Sequence, residues 1–151
     1  MITYQTSYMK KILLPLLFTI IATTGYSQCD KKILLTSIIT EHLDASDSLQ
    51  RSNEEKSTIE IGKTEITILP GNEAEQKIAG VIKSHTCNWT VPFKEGKSVI
   101  KAEMSDPRGD TKNATITITG KDGKVTLLFE LEEMPDRKIR VKIDKFEEVK
   151  S

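Results

Sequence analysis

Ala114-Thr115-Ile116-Thr117-Ile118-Thr119-Gly120-Lys121-Asp122-Gly123-Lys124-Val125-Thr126-Leu127-Leu128-Phe129 is the stretch that decides the fold. From Ala114 to Thr119 aliphatic and hydroxyl residues alternate, the period of a strand whose side chains point to opposite faces in turn. Gly120-Lys121-Asp122-Gly123 is a strong hairpin signal. Pairing Thr119 with Lys124 sets Ile118 opposite Val125, Ile116 opposite Leu127 and Ala114 opposite Phe129, so one face of the hairpin is apolar throughout.

The same exercise extends outward. A turn around Met134-Pro135-Asp136 with Glu132 opposite Lys138 brings Leu131 to Ile139, Phe129 to Val141 and Leu127 to Ile143. On the outer face it sets Glu130 opposite Arg140, a cross-strand pair of a few tenths of a kcal/mol. Towards the N-terminus, Ile100, Ala102 and Met104 share one face of a strand, and Cys87, Trp89, Val91 and Phe93 share one face of another. Asp106-Pro107-Arg108-Gly109-Asp110 breaks the run with turn chemistry. A five-stranded antiparallel meander is expected from residue 86 to about residue 146.

The first half reads differently. Between Lys31 and Leu49, Leu34, Leu35, Ile38, Ile39, Leu43 and Leu49 recur mostly at spacings of three and four, the pattern of an amphipathic helix. Its β-branched residues lower helix propensity, so packing would have to hold it. Gln50 to Ser57 is polar and reads as a loop. Thr58-Ile59-Glu60-Ile61 and Thr64-Glu65-Ile66-Thr67-Ile68 flank Gly62-Lys63 as a small hairpin. After Pro70-Gly71, Asn72 opens a second helix, with Glu75 three residues on and Ala74, Ile78, Val81 and Ile82 on its apolar face. The expected fold is therefore α+β: the meander, the small hairpin and two helices.

Ahead of this lies a secretory leader. Met9-Lys10-Lys11 precedes the apolar run Ile12 to Ala22, and Gly25 and Ser27 supply the small residues that a signal peptidase needs if it cuts before Gln28. The run falls short of the roughly 20 residues of a membrane-spanning helix. Residues 1–27 are thus expected to be a cleavable signal peptide and 28–151 a single domain, periplasmic or secreted, with no transmembrane segment after cleavage. A lipid anchor on Cys29 is the lesser alternative, because Tyr26 and Gln28 suit a lipoprotein signal poorly. Cys29 and Cys87 are the two cysteines of the chain. In an oxidising compartment they are expected to form a disulfide.

The chain carries 22 basic and 22 acidic residues. Near-neutrality without a basic cluster argues against nucleic acid and against a strongly charged membrane surface as partners. His42 and His85 are the only histidines, and neither stands in a nucleophile-elbow or cysteine-protease context. His85-Thr86-Cys87 offers two metal donors where zinc wants three or four. No glycine-rich loop opens a helix to cradle phosphate. Arg108-Gly109-Asp110 matches an adhesion tripeptide but is better read as a turn. The Asn88-Trp89-Thr90 and Asn113-Ala114-Thr115 sequons fall in strands. No metal, cofactor or catalytic group is expected.

The functional expectation is a non-enzymatic binding or inhibitory module acting on a protein or envelope partner outside the cytoplasm. The alternative is a lipocalin-like carrier, in which the meander closes toward a barrel around a small apolar ligand.

Overall fold

The computed structural model describes residues 28–150, and in them eight antiparallel strands follow one another around a closed barrel. They are β1 (Ile33–Leu43), β2 (Leu49–Ile61), β3 (Glu65–Leu69), β4 (Ile78–Val91), β5 (Glu95–Ser105), β6 (Thr111–Lys121), β7 (Lys124–Leu131) and β8 (Met134–Glu148). Each pairs with the next, and β8 returns to β1 with Ile33 opposite Glu148 and Leu43 opposite Lys138. The α+β expectation is corrected: among the described residues only three short 3-10 turns, Gln28–Asp30, Pro70–Asn72 and Ala74–Gln76, are helical. The leader expected at residues 1–27 lies outside the described residues.

The first expected helix is β1. Ile33, Leu35 and Ser37 point inward at strand period, and then the register shifts between Ser37 and Ile39 against both neighbouring strands. The extra residue of a bulge resets the alternation, so the strand shows gaps of three and four that imitate a helix. Its β-branched residues fit the pleated surface that they disfavour as helix. The second helix is also absent. Asn72 has φ of 56° and its side-chain oxygen accepts from the Thr58 hydroxyl, and from Ile78 the chain joins β3 as β4.

Gln50 to Ser57 is strand rather than loop, paired with β1 from Leu43–Leu49 to Ser37–Ser57. The small hairpin is present as β2–β3, with Ile61 opposite Ile66. The meander is present too, but its five strands are part of a sheet that continues through β1–β3 until it closes.

Both predicted registers are off by two residues. Ile118 faces Leu127, Ile116 faces Phe129 and Ala114 faces Leu131 across β6–β7, while Leu127 faces Val141 and Phe129 faces Ile139 across β7–β8. Tighter turns cause both shifts, Asp122-Gly123 and Glu132-Glu133 alone separating the strands. An even shift keeps every side chain on its face, so the buried set survives the error.

An eight-stranded barrel is just wide enough to be filled by side chains or to hold one small ligand. This one is filled with side chains in one half and left open in the other. The half holding the start of β1 and the end of β8 is packed by Ile33, Leu35, Ile61, Ile66, Ile100, Ile116 and Ile118, all at most 2% exposed. Burial of each such side chain is worth about 1.5–3 kcal/mol over leaving it in water. Trp89, Phe93 and Phe146 finish that mouth, with Phe146 edge-on to both other rings at centroid distances of 5.6 and 4.7 Å.

Lys97, Lys101, Glu103 and Lys142 on the outer wall are exposed. Charge outside and aliphatic residues inside is the reverse of a membrane-spanning barrel's pattern. Among the described residues, no helix is long and apolar enough to cross a membrane.

Candidate functional site

At the mouth opposite the packed half, the barrel opens as a cup of about 300 Å³. β3 is short, so β2 has β1 alone as its strand neighbour from Leu49 to Ser57. The segment of two 3-10 turns spans the resulting notch, tied down where the Thr58 hydroxyl donates to Asn72 Oδ1 at 2.7 Å. Pro70, Gln76 and Ile78 of this region line the cup.

The cup has two unlike walls. Thr40 and His42 of β1 with Arg51, Asn53, Glu55 and Ser57 of β2 form a polar wall at alternate positions. Leu127, Phe129, Ile139 and Val141 of β7 and β8 form an apolar wall, continued by Ile59 and Ile68. Val141, Phe129 and Leu127 are buried, whereas Ile139 is part-exposed. Polar residues at inward positions of β2 explain why its sequence shows no apolar alternation.

Arg51 Nη2 lies 3.0 Å from His42 Nε2. A guanidinium can only donate, so Nε2 is the acceptor and the ring proton sits on Nδ1. Burial and then the neighbouring Arg51 hold His42 below its ordinary value of 6.5, opposed by Glu55. The imidazole is therefore neutral near pH 7 and fixed in one tautomer. The same cup also carries the hydroxyls of Thr40 and Ser57 and the Glu55 carboxylate.

The structure contains the expected Cys29–Cys87 disulfide, with Cα atoms 5.9 Å apart. It clasps the N-terminal turn to the inner face of β4, far from the cup at the packed mouth. Trp89 shares that face as expected: its indole N–H donates to Ser98 Oγ at 2.8 Å, and Ser98 Oγ donates to Cys87 Sγ at 3.4 Å. His85 Nε2 is 3.3 Å from Cys87 Sγ. Burial lowers the His85 pKa, against a smaller opposite pull from Asp30.

Arg108-Gly109-Asp110 is a turn, organised by Asp106, whose Oδ1 accepts the backbone N–H groups of Arg108 and Asp110 at 2.9 and 3.0 Å. The cup residues escaped the sequence reading because their segment lacks apolar periodicity. The available signal was the spacing Arg51, Asn53, Glu55, Ser57, which runs at period two without an apolar member. Comparison of the chain with family models, with curated proteins and with solved structures finds no match.

Proposed function

We propose that this chain is an extracytoplasmic carrier that holds one small amphipathic molecule in the open half of its barrel. The observation that supports the reading is the cup itself, apolar on β7–β8 and polar on β1–β2. Its volume falls at the lower end of the range of small-molecule sites, about 300–1,000 Å³. The ligand class that fits has a compact hydrocarbon or aromatic body against Leu127, Phe129 and Val141 and a hydrogen-bonding head against Arg51, Asn53 and Ser57. A wholly apolar ligand would strand the polar wall, since buried donors and acceptors left unpaired cost about 1–3 kcal/mol each.

A concave, half-lined cavity favours the carrier over a module that docks on a protein or the envelope, for which a raised or flat contact surface would serve. Export follows from the leader sequence, and the disulfide accords with an oxidising compartment.

Native mass spectrometry of the protein taken from its host's extracytoplasmic fraction tests the reading. The expected result is an added small-molecule mass on the wild type that is lost in Ile139→Trp, whose indole would occupy the cup from its part-exposed rim. A bare wild-type mass, together with no fluorescence enhancement of anilinonaphthalene sulfonate, would overturn it.

A further inference from the structure

At the packed mouth, far from the cup, three side chains converge whose donor atoms all lie within 4.8 Å of one another: Cys29, His85 and Cys87. We propose that, once the disulfide is reduced, these three bind a single thiophilic divalent ion of the zinc class, so that a metal replaces the covalent bridge as the clasp of the N-terminal turn.

The geometry is close to what such a site requires. Zinc–sulfur and zinc–nitrogen bonds of about 2.3 and 2.0–2.1 Å at tetrahedral angles place sulfur and nitrogen roughly 3.6 Å apart and the two sulfurs roughly 3.8 Å apart. Cys87 Sγ and His85 Nε2 already stand 3.3 Å apart. The two sulfurs must separate, by the opening of the bond that joins them, and Cys29 Sγ stands within 4.8 Å of the ring donor. Three protein donors leave a fourth position for water or for the Ser98 hydroxyl, itself 3.4 Å from Cys87 Sγ.

His85 Nε2 is the ring atom turned toward Cys87 Sγ and is therefore the metal donor; the buried Nδ1, which has no hydrogen-bond partner among the described residues, would keep the ring proton. Cys29 is also kept near when the bridge opens. Lys31 Nζ is bound to Glu148 at 2.8 Å, and Val149 N–H donates to Lys32 O at 2.8 Å, which anchors the chain two and three residues beyond it.

The chemistry balances. A dithiol reductant cleaves the sulfur–sulfur bond by exchange, leaves as its own disulfide, and gives Cys29 and Cys87 one proton each. The ion then forms two metal–thiolate bonds, displaces both protons to solvent and takes the neutral imidazole as third donor. Sulfur donors select zinc over magnesium or calcium.

The test uses Co²⁺ as a spectroscopic probe on the intact protein, reduced with dithiothreitol and desalted without oxygen. The wild type is expected to bind a single Co²⁺ with a near-ultraviolet thiolate-to-cobalt charge-transfer band that Zn²⁺ abolishes, and the oxidised protein to show none. His85→Ala keeps both cysteines and can be purified in the oxidised, bridged form. After reduction it should bind at least about tenfold more weakly, having lost one of three protein ligands. Zn²⁺ should raise the melting temperature of reduced wild type and not that of reduced His85→Ala. No charge-transfer band in reduced wild type, or equal affinity in the variant, would overturn the proposal.

Discussion

Arg51, directly opposite His42 in the β1–β2 pairing, donates to its Nε2 at 3.0 Å, so a cation stands at the rim of the cup with its partner ring held neutral. This arrangement leaves the remaining guanidinium donors to meet a ligand head. An anionic aromatic probe such as anilinonaphthalene sulfonate should therefore bind Arg51→Gln about tenfold more weakly than wild type, the size of one charge-assisted hydrogen bond. A neutral apolar probe should bind both equally. Fluorescence titration measures each, and equal anion affinity would place the head elsewhere on the polar wall.

His42 also makes stability depend on pH. Its folded pKa lies below the ordinary 6.5, because burial and Arg51 disfavour the imidazolium. The unfolded chain thus binds more protons in this window, and stability rises with pH there. The contribution is complete above about pH 6.5 and is lost as pH falls through the folded pKa. His42→Gln keeps a polar side chain that does not titrate, so urea melts between pH 7.5 and 5 should show a shallower loss than wild type. Parallel curves would rule His42 out as the source.

Glu41 faces away from the cup and is 4% exposed, yet both its oxygens are engaged, Oε2 by Arg140 Nε at 2.6 Å and Oε1 by Lys142 Nζ at 2.8 Å. The Lys142 hydrogen bond leads the effects that hold its pKa below 4.5, against the desolvation that opposes them. Its stabilisation is present above about pH 4.5 and disappears as pH falls through the lower folded value. Glu41→Gln should cost about 1–3 kcal/mol at pH 7, as expected for hydrogen bonds to a charged group, and little at pH 3. Chemical denaturation at the two pH values decides it.

These relationships show where the sequence was readable. Alternation puts Ile116, Ile118, Leu127 and Phe129 on one buried face, and they lie there although both hairpins pair two residues away from the expected register. Face is set by alternation, which an even slip preserves, whereas register is set by turn length, which Gly120-Lys121-Asp122-Gly123 leaves ambiguous. β1 imitates a helix because a bulge at Ser37–Ile39 breaks its period, and β2 imitates a loop because its inward positions from Arg51 to Ser57 serve a polar wall instead of the core. Local pattern encodes what a strand buries. It does not encode closure, which depends on β8 meeting β1 more than ninety residues away.

Gly120 shows how the packed mouth depends on one missing methyl group. A Cβ there would meet Lys94 O at 2.5 Å and Trp89 Cζ3 at 2.7 Å, so the indole ring lies directly over the glycine. Because one obstacle is backbone, a side chain at this position forces the β4–β5 turn to move. Gly120→Ala should destabilise by about 1–3 kcal/mol, the range for overpacking. The lone tryptophan should report the disturbance in its fluorescence. A variant as stable as wild type with unchanged emission would show that the turn yields freely.

The clasp below that ring carries the largest single expectation. Cys29 and Cys87 are 58 residues apart, so their bond removes a long loop's freedom from the unfolded chain. By loop-closure entropy this is worth about 4 kcal/mol. The native side has little to lose on reduction, since β4 stays paired to β5 from Ala79 to Val91 and only the turn Gln28–Asp30 depends on the bridge for attachment to it. The Cys29→Ser, Cys87→Ser double variant should therefore keep the barrel's circular dichroism and its binding of cup probes, while its urea midpoint falls by the equivalent of about 4 kcal/mol. Probe binding isolates the effect, because the cup occupies the opposite mouth and shares no lining residue with the clasp. Loss of probe binding in a variant that retains the barrel would show that the two mouths are coupled.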